Sequence, residues 1–276
     1  MIAEGELGGL LRYWRTMRGK SQLDVALDTG ISQRHLSFIE SGRSVPSRQS
    51  LLQIANGLEI PLRERNVLLL ASGYAPIYAE TPLGAPEMQG IIKALQRVLH
   101  QQEPFPAVVL DRYWNVIMAN EAAPVFFGRF IDLDARPKPR NLLHLMFDPQ
   151  GLRPFIANWE MLARSLFARV YRESVGRVVD EKTKSLLAGL LAYPDVKPEW
   201  NRPDDYRAES NLPVIPVSFL KDRLTLSYFS LITTVGTPRT ITAQELRIEC
   251  MYPADEVTES HHPKLMKQRR SQPAPR

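Results

Sequence analysis

The sequence predicts two domains: an all-α bundle of five helices, followed by an α+β domain with an antiparallel sheet flanked by helices. Three observations carry this. Over the first 73 residues, helix-capping residues, glycine stops and apolar positions spaced three and four apart recur together, with few strand signals. From Gly73 to Pro86 there are three prolines and two glycines in fourteen residues, which rules out a continuous helix or a central strand. Beyond that stretch the order is a hairpin, a run of helices and three further strands. The predicted organisation is a bundle over residues 1–73, a linker over 74–87, a sheet domain over 88–256 and a basic, Pro-containing, disordered tail over 257–276.

In the bundle, Leu10, Leu11 and Trp14 give the first helix an apolar stripe, with Arg12, Arg15 and Arg18 on or near its other surface. Ser21 suits the N-cap of a second helix, with Asp24 three residues on at its positive end. Val25 and Ala26 form the inner face, and Gly30 accepts the left-handed backbone that ends the helix. Ile31 points back to the core, and Ser32 caps a third helix whose buried side carries Leu36 and Ile39. Ser47 caps a fourth helix with Leu51, Leu52, Ile54 and Ala55 inside, closed by Gly57, and Pro61 to Ala71 forms a fifth. A generic small bundle is the plain alternative, but a short helix, a tight glycine turn and a second capped helix together form the unit that fits a DNA major groove.

This stretch resembles a known family. Ser21-Gln22 through Gly30-Ile31-Ser32, then Ile39-Glu40-Ser41-Gly42-Arg43 and Pro46-Ser47, is similar to the Xre family, the Cro and phage-repressor type of helix-turn-helix, over about Leu7 to Ala71. The resemblance implies that Gln22 contacts a phosphate and that Gln33 and Arg34, early in the recognition helix, read bases. Phe38 falls at a base-reading position that is often polar in the family, where an apolar ring would meet a thymine methyl or pack. The chemistry agrees: Gln pairs with adenine in two hydrogen bonds and Arg with guanine O6 and N7, each worth about 1–3 kcal/mol of discrimination. Ser32, His35, Ser37 and Arg43 suit contacts to the DNA backbone. Glu40 is an acid on a helix meant to meet phosphates, so an intramolecular partner is expected, with Arg18 a candidate.

In the second domain, Met88 to Gln102 carries Met88, Ile91, Ile92, Leu95, Val98 and Leu99 on one helical face. Ala107–Leu110 and Trp114–Ala119 read as a hairpin with an Asp111-Arg112 turn and Trp114 as hairpin packing. Asn120 reads as an N-cap, Leu152–Glu173 and Asp180–Ala192 as the main helices, and Leu212–Phe219, Leu224–Thr234 and Gln244–Tyr252 as strands. His261-His262 reads as part of the solvated tail.

Val109-Leu110-Asp111-Arg112-Tyr113-Trp114-Asn115-Val116 and Ala119-Asn120-Glu121-Ala122-Ala123 resemble the opening of an MmyB-like ligand-binding domain. Asn141-Leu142-Leu143, Trp159, Trp200, Thr234 to Pro238, Glu245 to Glu249 and Tyr252 to Asp255 continue the match in order. The resemblance implies a PAS-like sheet and a fatty-acid-like apolar ligand. From the residues alone, Phe126, Phe127, Phe147, Phe155, Trp159, Leu162, Leu166 and Trp200 are the candidate pocket lining, each also readable as plain core. A carboxylate head group needs a basic or hydroxyl partner, for which Arg164, Arg169, Tyr171 and Arg172 lie on one helix.

With 44% hydrophobic and 24% charged residues, the chain has material for two cores, and its net charge of +5 permits a polyanion partner. One cysteine, Cys250, allows no internal disulfide. No secretory signal, spanning helix, P-loop, nucleophile elbow or metal-ligand spacing is present, so the expectation is a cytoplasmic, non-enzymatic protein with no cofactor or metal. The expected partners are a near-palindromic double-stranded DNA operator and a second copy of the chain, because one such unit buries too little for tight specific binding. Two functions compete for the second domain: sensing a small apolar molecule that modulates operator binding, or acting only as a module for dimerisation or for a protein partner.

Overall fold

The computed structural model describes residues 6–173, 181–201 and 213–267. These fall into two compact units, one of residues 6–83 with 236–244, the other of residues 84–173, 181–201, 213–235 and 245–267.

The first unit holds α1 (Glu6–Met17), α2 (Gln22–Thr29), α3 (Gln33–Glu40), α4 (Arg48–Gly57) and α5 (Leu62–Ala71), the expected five helices. Ser21, Ser32 and Ser47 are N-caps, each accepting the backbone N–H three residues on. At Ser21 the cap is reciprocal, since Asp24 Oδ2 accepts the Ser21 N–H at 2.7 Å. Gly30 has φ of 71° and donates to Ala26 O at 2.9 Å, so only a residue tolerant of the left-handed region ends α2 there. Leu11, Trp14, Val25, Leu36, Ile39, Leu51 and Ile54 make up much of the core. Gly8 is required by contact: a Cβ there would sit 2.4 Å from Glu40 O.

The segment expected to be a linker is bound to this unit. Tyr74 donates to Pro46 O at 3.0 Å, and Asn66 Oδ1 accepts the N–H groups of Ile77 and Tyr78, each at 3.1 Å.

The second unit is built on a sheet of β1 (Ala107–Leu110), β2 (Val116–Ala119), β3 (Val217–Lys221), β4 (Leu224–Thr234) and β5 (Arg247–Pro253), in the order β2-β1-β5-β4-β3 with every pairing antiparallel. This is the PAS-like sheet. β1 is buried along its whole length. Asp222 and Arg223, with φ of 50° and 65°, make the two-residue turn from β3 to β4, whose twist suits a tight hairpin. The sheet is accompanied by α6 (Gln89–Gln101), α7 (Ala122–Phe127), α8 (Leu142–Phe147), α9 (Trp159–Glu173), α10 (Glu181–Leu191) and α12 (Glu256–Lys267), while α11 (Ile241–Glu245), in the connection from β4 to β5, groups through Gln244 with the first unit.

Three expectations need correction. The helix predicted from Leu152 starts only at Trp159: Pro154 lies in a short 3-10 turn, Ile156 bridges to Phe219, and Asn158 is held to β3 by bonds from its Nδ2 to Pro216 O and from Ser218 N to its Oδ1. The strand predicted from Gln244 begins at Arg247, because Thr240 caps α11 through the Ala243 N–H. The tail predicted from residue 257 is helical through Lys267. Thr258, His262 and Leu265 are buried on one face of α12, at spacings of three and four that the basic composition masked. His262 is therefore not a solvated residue: its Nε2 donates to Pro104 O at 2.9 Å and its Nδ1 is hydrogen-bonded to Tyr228 Oη at 2.9 Å. The tail residues beyond 267 lie outside those described.

Candidate functional site

In the helix-turn-helix, α2 and the Gly30 turn present α3. Ser32, Gln33 and Arg34 are exposed at the start of α3, and Arg43 is exposed just beyond its end. His35, Ser37, Phe38 and Gln22 are half-buried. The Phe38 ring lies between two guanidinium groups, with Arg34 Cζ 5.4 Å and Arg43 Cζ 6.0 Å from its centroid. Phe38 thus supports both arginines while leaving their edges free. Arg43 is also set by its backbone, whose N–H donates to Phe38 O at 2.8 Å.

Glu40 anchors this surface from behind. It is 4% exposed and receives Arg15 Nε at 2.7 Å, Arg15 Nη2 at 3.0 Å and Gln22 Nε2 at 2.9 Å. Burial pushes the Glu40 carboxyl upward, but the hydrogen bonds from Arg15 and Gln22 and the charges of Arg15 and Arg12 outweigh it, leaving the group below the usual carboxylate range. The partner is Arg15 rather than Arg18. Arg18 donates instead to Leu58 O and Glu59 O, both at 2.9 Å, where α4 ends and its carbonyls need donors. Sequence spacing did not separate the two arginines, since both lie within one turn of the same stripe.

In the sheet unit, a cavity of about 950 Å³ lies among the sheet, α8 and α9. Val108, Tyr228, Ile232 and Met251 border it from the sheet, Leu142, Leu143 and Met146 from α8 and its start, and Leu162, Leu166 and Ala168 from α9. Of the predicted lining residues, Phe127, Leu162 and Leu166 border the cavity. Phe126, Phe147 and Trp200 are buried in the packed core, with Phe155 and Trp159 partly buried against it. Phe126 meets Phe127, Phe130, Phe219 and Tyr228 edge-on at 5.1–5.4 Å, a cluster that fills space rather than enclosing it.

Trp114 does more than pack the hairpin. It is 1% exposed, borders the cavity, has φ of 67°, and stacks between Arg169 and Arg247, whose Cζ atoms are 4.3 and 4.4 Å from its rings. Arg169 is ion-paired with Glu249, and both border the cavity, as do Glu160 and Arg164. The charged residues of this wall come from α9 and β5, far apart in the chain, so only the fold brings them together. Of the four head-group candidates, Arg164 and Arg169 reach the cavity, while the side chains of Tyr171 and Arg172 lie outside those described.

A helix-turn-helix joined to a sheet domain that contains a cavity defines a DNA-binding transcription regulator. Comparison with protein families agrees. The Helix-turn-helix family matches residues 11–65, and the MmyB-like transcription regulator ligand binding domain matches residues 91–265. The chain belongs to the MmyB-like transcription regulator ligand binding domain family. No curated protein matches it significantly. Among the described residues, no helix is long and apolar enough to cross a membrane.

Proposed function

We propose that the protein is a one-component regulator: the N-terminal helix-turn-helix binds a near-palindromic operator as a homodimer, and a fatty-acid-like amphiphile in the second domain modulates that binding. The observation that carries this reading is the 950 Å³ cavity in a ligand-binding domain that shares a chain with a helix-turn-helix. Its apolar walls suit an acyl chain. Arg169 is already paired with Glu249, so Arg164 is the residue we assign to a carboxylate head group.

At the DNA, Gln33 and Arg34 read bases, with Phe38 as their apolar neighbour. Ser32, His35, Ser37 and Arg43 hold the backbone. Gln22 gives one amide hydrogen to Glu40 and has a second for a phosphate. Selection from a random DNA library tests the assignment. Gln33→Ala and Arg34→Ala should relax preference at separate positions, and Arg43→Ala should weaken all sequences alike and lower the salt slope by about 1. Unchanged preferences would sink the recognition-helix assignment, and a monomer on operator DNA by sedimentation would sink the dimer. For the ligand, acids of increasing chain length should raise the melting temperature, by about 2.7 kcal/mol of stabilisation at a hundredfold excess over Kd. A flat response, with no lipid extracted from the purified protein, would overturn that part.

A further inference from the structure

The N-terminus of α5 is capped from a distant part of the chain. Pro61 precedes the helix and offers no side-chain acceptor, so the first N–H groups of α5 need partners from elsewhere. The Leu62 N–H finds one at 2.6 Å in Gln244 Oε1, 182 residues further on. Gln244 lies in α11, within the connection from β4 to β5. Ile241 and Ala243 of α11 are buried, and the Ile241 N–H donates to Ala79 O at 2.9 Å. The chain around Ala79 is in turn tied to α5, by Asn66 Nδ2 to Tyr78 O (2.8 Å) and by the Arg63–Glu80 ion pair. Residues 236–244 accordingly group with the DNA-binding helices. The connection itself begins and ends at the paired residues Thr234 of β4 and Arg247 of β5.

These two strands also border the cavity, through Tyr228, Ser230 and Ile232 of β4 and Glu249 and Met251 of β5. We infer that the β4–β5 connection is a strap by which occupancy of the cavity sets the Gln244 cap on α5, and through it the operator affinity. The inference rests on the reading that the cavity takes a ligand. An occupant that prefers one twist of the paired strands β4 and β5 shifts the roots of the strap, since only differential affinity for two arrangements moves an equilibrium. Gln244 then gains or loses its hold on Leu62. α5 packs on α1 and α4. α1 carries Arg15, which fixes Glu40 at the end of α3, so the signal has a packed route to the recognition helix.

The test uses the full chain and an operator obtained by library selection. The cavity is filled in two ways, by saturating dodecanoate and by the substitutions Ser165→Trp or Ser230→Phe. Each is applied to the parent, to Gln244→Ala, and to Gln244→Glu, which keeps an acceptor for Leu62. Filling should change operator Kd about fivefold or more in the parent and in Gln244→Glu, and by less than about twofold in Gln244→Ala. Exchange of the Leu62 amide should respond to filling in the same two proteins only. An equal response in Gln244→Ala, or none in the parent, overturns the strap. Dodecanoate binding is followed separately through tryptophan fluorescence, since Trp114 borders the cavity. If dodecanoate fails to bind but the filling substitutions still act through Gln244, the strap stands and the ligand reading falls. If dodecanoate binds and acts without Gln244, the ligand reading stands and the strap falls.

Discussion

The DNA-binding helices and the sheet domain are ordered by different kinds of contact. In the bundle, the polar contacts that start α2, α3 and α4 are local, with Ser21, Ser32 and Ser47 each capping the residue three positions on. In the sheet domain, single polar side chains join residues far apart. Asn120 is the clearest case: its Oδ1 accepts from Ala107 N and Ala123 N, and its Nδ2 donates to Leu99 O and Phe105 O. Gln102 Nε2 reaches Met251 O at 2.9 Å, and His262 joins Tyr228 to Pro104. These hubs fix Ala107, Tyr228 and Met251, three residues that border the cavity. The bundle presents a reading face fixed by its own helices.

Glu40 is the bundle's main departure from this pattern, and breaking it should give the largest effect. It links α3 to Arg15 on α1 and to Gln22 on α2. Glu40→Ala leaves Arg15 partly buried without its carboxylate, and removal of one partner from such a pair costs about 3–5 kcal/mol. Urea unfolding of the full chain, with hydrogen exchange read at α1 and α3, should show the loss confined to the bundle. Because the folded Glu40 carboxyl is held below its ordinary value, its contribution is present above the usual Glu range and is lost as pH falls through the folded value. Equal destabilisation of the sheet domain would break the comparison.

Asn120→Ala comes next. It strips four bonds from a side chain that is 7% exposed and leaves the Ala107 N–H and Phe105 O without it, for a cost of about 3 kcal/mol. The loss should appear in exchange at β1, α6 and α7 together. A change limited to the start of α7 would mean that Asn120 is a local cap like those of the bundle.

His262 gives a smaller effect with a pH signature. Burial lowers its tendency to protonate, against an opposing hydrogen bond to Pro104 O. The unfolded chain therefore takes up the proton first. The stability that His262 confers is complete above its unfolded value of about 6.5 and falls as pH drops from there toward the folded value. The sheet domain should thus begin to weaken near pH 6, before Glu40 is protonated in the bundle. His262→Ala should cost about 2 kcal/mol and reduce that acid step, leaving the part due to His144, whose protonation burial also disfavours, as followed by thermal melts at stepped pH. A step of undiminished size in the variant would assign it to His144 instead.

The same contrast explains what the sequence disclosed. The bundle helices and the serine caps of α2, α3 and α4 were legible because caps, glycines and apolar stripes lie within one window of sequence, whereas the Gln244 cap of α5 comes from 182 residues away and was not. The Glu40 partner was not, because Arg15 and Arg18 differ only in where α3 and α4 pack. In the sheet domain the strands were legible from their apolar runs, except that the strand predicted over Leu212–Phe219 begins only at Val217, with Leu212 outside the described residues, and the cavity wall was not legible. The aromatic surplus pointed to Phe126, Phe147 and Trp200, yet these fill the core, because large rings that pack edge-on close space. The wall instead uses Met146, Trp114 and the charged residues of α9 and β5, whose convergence depends on the register of β5 between β1 and β4. α12 was hidden by its lysines and histidines, although its buried positions follow a helical spacing.

The smallest expected effect sharpens the comparison from the side of the bundle. Ser21 forms a reciprocal cap with Asp24, at 3.1 Å from the Asp24 N–H to Ser21 Oγ and 2.7 Å from the Ser21 N–H to Asp24 Oδ2. Both groups are exposed, so water replaces whatever Ser21→Ala removes. The cost should be about 1 kcal/mol, within the usual range for an N-cap serine. It should appear as faster exchange in the first turn of α2 alone, with α3 and the Glu40 cluster unchanged. Ser21→Asp should recover most of it, since an acid also caps and suits the positive helix end. Such a local loss, set beside the distributed loss from Asn120→Ala, would show that the two domains are stabilised on different length scales. A cooperative loss across the bundle would instead mean that its caps, too, are coupled over distance, through the Gln22 amide that follows Ser21 and binds Glu40.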